Sequence, residues 1–184
     1  MERQRESEYL VLRQTIAQRG ALRPVLVLFG ITIWAALLIA VLALLPYPVA
    51  AAIPLLVLLV TFEVIRPLHF GAERIGRYLQ VFYEEDGAAN RSFSDTPSWE
   101  RVAMSFGKVP GVGGHPLFVP IFFLATAINY LAVLLPRAVA IEMSVMALPH
   151  LAFVAWLVTS DRAMRTQRTV ELARLQEMHQ KQGN

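Results

Sequence analysis

The chain has 184 residues, 55% of them hydrophobic and 17% charged, with a formal charge of +3 and no cysteine. That length fits one domain with a small appendage, and the missing cysteine excludes disulfides, thiolate metal sites and a cysteine nucleophile. Soluble domains carry about 25% charged residues; here the charges are fewer, nearly absent from four long blocks and concentrated between them.

Residues 1–23 are polar-rich, and SEYLVLRQTIAQRG places Tyr9, Leu12 and Ile16 on one side of a helix. The apolar run that follows is too long for the core of a signal peptide, so it is expected to be a retained span. The first block runs from Pro24 to Leu45 without a charge, with Pro24 expected to open it. After the short connection PYP, the second block runs from Val49 to Ile65. Together, 24–65 read as a transmembrane hairpin.

The segment 66–116 begins with TFEVIRPLHFGAERIGRY straddling its edge. Pro67 is expected to bend or restart the helix. Beyond it, Leu68, Ala72, Ile75, Leu79 and Phe82 recur at helical steps, as do Arg66, His69, Glu73, Arg77, Gln80 and Glu84 on another face. This amphipathic helix either lies on headgroups or packs under the bundle, and Phe70, Tyr78, Phe82 and Tyr83 suit an interface. Its polar stripe reads as a solvated face; the alternative is a buried network of Glu63, Arg66, His69, Glu73 and Arg77 at the bundle mouth. A metal site on His69 and Glu73 needs further ligands such as His115 or His150, so neither metal nor cofactor is expected. Residues 85–116 are rich in glycine, serine, proline and aspartate, as in loops. WERVAMSF, capped by Asp95 or Thr96 with Pro97 behind it, reads as one short helix. GKVPGVGG lacks the order of a phosphate-binding loop and has no strand before it.

The third block is Leu117 to Leu135 and the fourth Val139 to Ser160, joined by PRA; 117–160 read as a second hairpin. A bilayer core of about 30 Å needs about 20 apolar residues in helical form, and continuous rather than alternating hydrophobicity selects helices over strands. The fold class expected is an all-α membrane protein with four transmembrane helices in two hairpins, plus amphipathic cytoplasmic helices. Within the spans, His150 follows Pro149 near mid-depth, Asn129 lies in span three, and Glu142 sits one turn inside span four. Polar groups in such positions face the bundle interior. A Glu142–Asn129 hydrogen bond is expected, Arg137 can snorkel to Glu142, and Glu142 and His150 can line one groove. His150 itself reads as a neutral imidazole on a freed carbonyl, or as a proton- or ligand-responsive site. The tail 161–184 extends span four helically, with Glu177 and Lys181 as an i,i+4 pair and Leu172, Leu175 and His179 on one face. The first and last helices are expected to pack together or to meet a partner chain.

Lysine and arginine number five before the first block, six in 66–116 and five in the tail, against Arg137 alone in the two connections. The positive-inside rule then places both termini and the middle segment in the cytoplasm. The tips LLPYPVA and LLPRAVA look alike, which suggests either duplication or a shared composition of leucine, alanine and valine. Arginine outnumbers lysine fifteen to two, pointing to a GC-rich bacterial genome and a bacterial inner (plasma) membrane. Basic segments attract anionic headgroups; their interleaved acids argue against nucleic acid. Beyond the lipid bilayer, the partners expected are a protein or a second copy, bound through the cytoplasmic helices. No nucleophile–base pair and no metal constellation appears. The function expected is that of an accessory, scaffold or assembly subunit. The alternatives are an oligomeric channel or transporter subunit using spans two and four, and a membrane enzyme or metal site at the cytoplasmic mouth.

Overall fold

A computed structural model describes residues 2–45, 47–85, 117–135 and 139–183. All regular elements among them are helical: α1 (Glu2–Leu44), a 3-10 turn (Pro48–Ala51), α2 (Ala52–Leu79) ending in a π-turn (Gln80–Glu85), α3 (Val119–Leu134) and α4 (Ala140–Gly183). Three stretches, Arg3–Leu44, Pro48–Tyr83 and Ala140–Lys181, are long and apolar enough to cross a membrane; Val119–Leu134 is a shorter apolar helix. The short helix expected near Trp99, the glycine loop, His115 and Arg137 lie outside the described residues.

The prolines do not divide the helices as their chemistry suggests. Pro24, Pro67 and Pro149 each lie inside an unbroken helix. Interior proline costs about 3 kcal/mol through a lost hydrogen bond and a clash. Around Pro67 that cost is offset by packing, since Phe62 and Ile65 before it and Ala72 and Leu79 after it are all buried. Tertiary burial overrides the local break, and the amphipathic segment is a direct extension of α2.

The chain divides into two compact units. The apolar unit comprises the described residues of 22–67 and 117–163. Its centre is Phe62, set edge-on to Phe122 at 5.4 Å and to Phe153 at 6.2 Å, a geometry that aligns positive ring edges with negative faces. A Cβ added at Gly30 would collide with the side chain of Thr61, so α1 approaches α2 as closely as a glycine permits. Large apolar side chains here face outward as well as inward. Leu28, Phe29, Ile39, Leu124, Leu148 and Leu151 are exposed, while Thr126, Asn129 and His150 are buried. Contiguous apolar surface of this kind is rare on soluble monomers and suits lipid as the surrounding solvent.

The polar unit comprises the described residues of 2–21, 68–85 and 164–183. Tyr9 stacks near Tyr83 at 5.7 Å, Tyr78 near Phe82 at 4.9 Å, and Phe82 against His179 at 5.1 Å. Tyr78, Phe82 and Tyr83 of the α2 extension therefore meet α1 and α4 within this unit. Arg5 and Arg13 lie over Tyr83 and Tyr9. Glu8 accepts a hydrogen bond from the Tyr78 hydroxyl at 3.5 Å. Burial first, and then Glu8, pushes the Tyr83 phenol up to about 12. A Cβ at Gly71 would meet the guanidinium of Arg19, so the glycine makes room for that cation beside α2.

Candidate functional site

Two polar centres stand out, one in each unit. In the apolar unit the centre is Asn129, fully buried on α3. Its Oδ1 accepts the indole N–H of Trp34 at 3.1 Å. Its Nδ2 donates to the carbonyl of Ala51 at 2.9 Å and meets His150 Nε2 at 3.0 Å. His150 Nδ1 lies 2.7 Å from the carbonyl of Met146. A carbonyl only accepts, so Nδ1 carries the proton; Nε2 is then bare and accepts from Asn129. Directions are consistent throughout: Trp34 to Asn129, Asn129 to Ala51 and His150, His150 to Met146. Pro149 has no N–H for the Val145 carbonyl, one residue before the Met146 carbonyl that His150 uses. Tyr130 closes the site, its ring 5.1 Å from that of His150 and its hydroxyl donating to the carbonyl of Met143 at 3.2 Å.

Glu142 belongs elsewhere. It is exposed, and its Oε2 accepts the backbone N–H of Val139 at 3.2 Å. An acid in the first turn is favoured by the helix dipole and takes up an otherwise orphaned N–H, and that local bond holds it rather than Asn129. It edges an open cleft of about 270 Å³ with Tyr47, Pro48, Val49, Ile141, Val145 and Met146, which does not include His150. The expected Glu142–Asn129 bond and the shared Glu142–His150 groove are therefore replaced by the Asn129–His150 contact.

The polar unit holds a charged layer between α2 and α4. Arg77 is only 4% exposed and bridges two carboxylates, reaching Glu73 at 3.1 Å and Glu171 at 2.5 Å. Glu73 also pairs with Arg168 and stands 3.3 Å from His69 Nε2. Glu171 also accepts from Arg74 at 2.8 Å and from Gln167 at 2.5 Å. His69 is buried, with Met164 Sδ 3.1 Å from Nε2. Burial pushes the Glu73 carboxyl up, but His69 and Arg168 outweigh it and hold it well below the ordinary carboxylate range. For Glu171 burial acts likewise, and Arg74, Gln167 and Arg77 hold it at about 2. The layer carries Arg74, Arg77 and Arg168 against Glu73 and Glu171.

Of the five residues expected at the bundle mouth, His69, Glu73 and Arg77 meet in this layer. Glu63 and Arg66 form a separate cluster in the apolar unit, 2.8 Å apart. Trp156 donates its indole N–H to Glu63 at 2.5 Å, and the Arg66 guanidinium lies 5.0 Å from the Trp156 ring centroid. The polar stripe of the α2 extension is not a solvated face: His69 and Arg77 are buried. Among the described residues, no group of three His, Asp or Glu side chains is placed to hold a metal ion.

Sequence reasoning missed Trp34, Trp156, Gln167, Arg168 and Glu171. Two signals were available. An indole N–H inside a charge-free span needs an acceptor, which a neighbouring asparagine supplies. Met164, Arg168 and Glu171 also recur at helical spacing, matching His69, Glu73 and Arg77 on α2. Comparison with protein-family models, with curated proteins and with solved structures finds no match.

Proposed function

We propose that the chain is a four-span membrane protein of two hairpins, with both termini and the 66–116 segment on the cytoplasmic side of a bacterial inner membrane. It acts as a non-catalytic scaffold or assembly subunit that presents its polar unit to a partner polypeptide. The carrying observation is what the polar unit leaves outside. Arg74, Arg77 and Arg168 are paired with Glu73 and Glu171 between α2 and α4, while Leu10, Val11, Val170 and Met178 remain exposed on α1 and α4. Large apolar side chains outside the apolar spans gain most from a protein surface that covers them. Support for the fourth span comes from the charge-free run from Leu117 to Leu135, of which the 16 residues of α3 make about 24 Å of helix. The sixteen-to-one placement of basic residues supports the orientation.

Because the chain has no cysteine, single cysteines serve as clean topological labels. Thiol labelling at Ser7→Cys and Gln180→Cys should occur from one side only, and at Tyr47→Cys from the other. The function is tested by photocrosslinking from Val170 and Leu10 in the native membrane. One discrete adduct of a distinct polypeptide, lost on Val11→Glu, supports the scaffold reading. Adducts of this chain alone make it a homo-oligomer. Ion conductance in liposomes that disappears on His150→Leu would favour a channel instead.

A further inference from the structure

The Asn129 centre has a property that simple structural clasps lack: its hydrogen bonds run in one direction only. Nδ1 of His150 is committed as a donor to the Met146 carbonyl, so the ring offers a single lone pair, at Nε2, and Asn129 Nδ2 points an N–H at it. The other Asn129 contacts fix which end of the amide faces which way. Oδ1 takes the Trp34 N–H, and Nδ2 also serves the Ala51 carbonyl. Among the described residues these bonds run directly from group to group, so the polarity reverses only if the amide itself turns.

From this we infer that His150 is a proton-binding site whose occupancy uncouples α3 from α1 and from the Ala51 turn. A proton taken up at Nε2 turns the imidazole into an imidazolium, with N–H groups at both nitrogens. The new Nε2–H then faces the Asn129 Nδ2–H, donor against donor. Rotating the amide by half a turn presents Oδ1 to Nε2–H and repairs that contact. It also sets the amide NH₂ against the Trp34 N–H and Oδ1 against the Ala51 carbonyl. Two bonds are lost for one regained. At a buried site, Asn129 and His150 being nearly inaccessible, an unmet donor or acceptor is costly, so proton uptake at His150 favours separation of the helices that Asn129 joins.

The surroundings leave His150 in control of this step. On α1 the centre meets Trp34, and at the turn Ala51, neither titratable. On α3 it meets Tyr130, whose hydroxyl is engaged by Met143. On α4 the nearest charged side chain in sequence is Glu142, two turns away, exposed and bonded to Val139. Among the described residues α2 brings no charged group into contact with the ring. The element biased by the proton is the packing around Ala51, Val133 and Met146, which are buried together with Tyr130 against them.

The test uses the full chain in lipid nanodiscs, with Trp99→Phe and Trp156→Phe so that Trp34 is the only indole. Its emission is followed from pH 8 to pH 4.5. A shift over a one-proton transition that is lost in His150→Gln is the expected result. No shift, or an equal shift in His150→Gln, overturns the proposal. Should that variant fail to fold, ring 15N shifts of the unsubstituted chain decide, with His150 assigned by its contact to Tyr130. At pH 8 they should report a protonated Nδ1 and a bare Nε2, and both should be protonated below the midpoint of the Trp34 transition. The opposite tautomer at pH 8, or ring protonation at a different midpoint from the emission shift, also overturns it.

Discussion

Arg74 and Arg77 reach the same carboxylate from adjacent turns of α2, yet they should matter very differently. The Arg74 side chain is 66% exposed and touches Glu171 from the rim. Arg77 is enclosed and links Glu171 to Glu73. Removing one partner of a buried pair costs about 3–5 kcal/mol when the other charge is stranded. Here neither carboxylate is stranded, because Glu73 keeps Arg168 and His69, and Glu171 keeps Arg74 and Gln167. The cost of Arg77→Ala should therefore fall to about 2–3 kcal/mol, mostly two lost charge-assisted bonds and the space left by the side chain. Exposed pairs are worth about 0–1 kcal/mol, which bounds Arg74→Ala. The assay is hydrogen exchange of the α4 segment 164–175 in nanodiscs, where local opening is read directly. At 1.36 kcal/mol per tenfold, Arg77→Ala should speed exchange roughly 30- to 150-fold and Arg74→Ala less than about fivefold. Equal effects of the two variants, or less than a threefold effect of Arg77→Ala, would refute the claim that burial sets the weight of this layer.

Three further outcomes follow from the same geometry. The Glu171 carboxyl falls from an ordinary 4.5 to about 2 on folding, so its contribution is complete above about pH 4.5 and is lost as pH falls through 2; melting followed by circular dichroism should be flat in this respect from pH 8 to 5 and decline below that. Asn129→Leu removes three contacts, each worth about 0.6 kcal/mol inside a membrane, so stability should drop by about 2 kcal/mol, with a shift in Trp34 emission. Gly30→Ala should destabilise by about 1–3 kcal/mol through overpacking, with partial recovery on adding Thr61→Ala; a neutral Gly30→Ala would mean that α1 and α2 are not in close approach there.

How far the residues alone disclose this architecture depends on the interaction involved. Hydrophobic blocks longer than 16 residues announce themselves because a charge cannot be hidden in them without cost. Proline is misleading at positions 24, 67 and 149, because its penalty is local and the burial that outweighs it comes from residues distant in sequence. The α2 extension shows the converse problem. Periodicity places His69, Glu73 and Arg77 on one stripe, but a stripe does not say whether water or another helix faces it. The answer lies about 95 residues away, where Arg168 and Glu171 supply the missing charges. Asn129 is similar: its depth is readable, but its choice of His150 over Glu142 depends on Glu142 having found the Val139 N–H first.

The two units solve one physical problem in opposite ways. In the apolar unit, polar groups are few, and each described group at the Asn129 centre is neutral and directionally matched; no net charge has to be desolvated. In the polar unit, full charges are brought inside and paired, Glu73 with Arg77 and Arg168, and Glu171 with Arg74 and Arg77. A charged layer of this kind is tolerable where water or anionic headgroups screen it and costly within hydrocarbon. Pro67 lies inside α2 without ending it, so the helix runs on from Glu63 and Arg66 to His69 and Arg77 even though proline offers no N–H to the ladder.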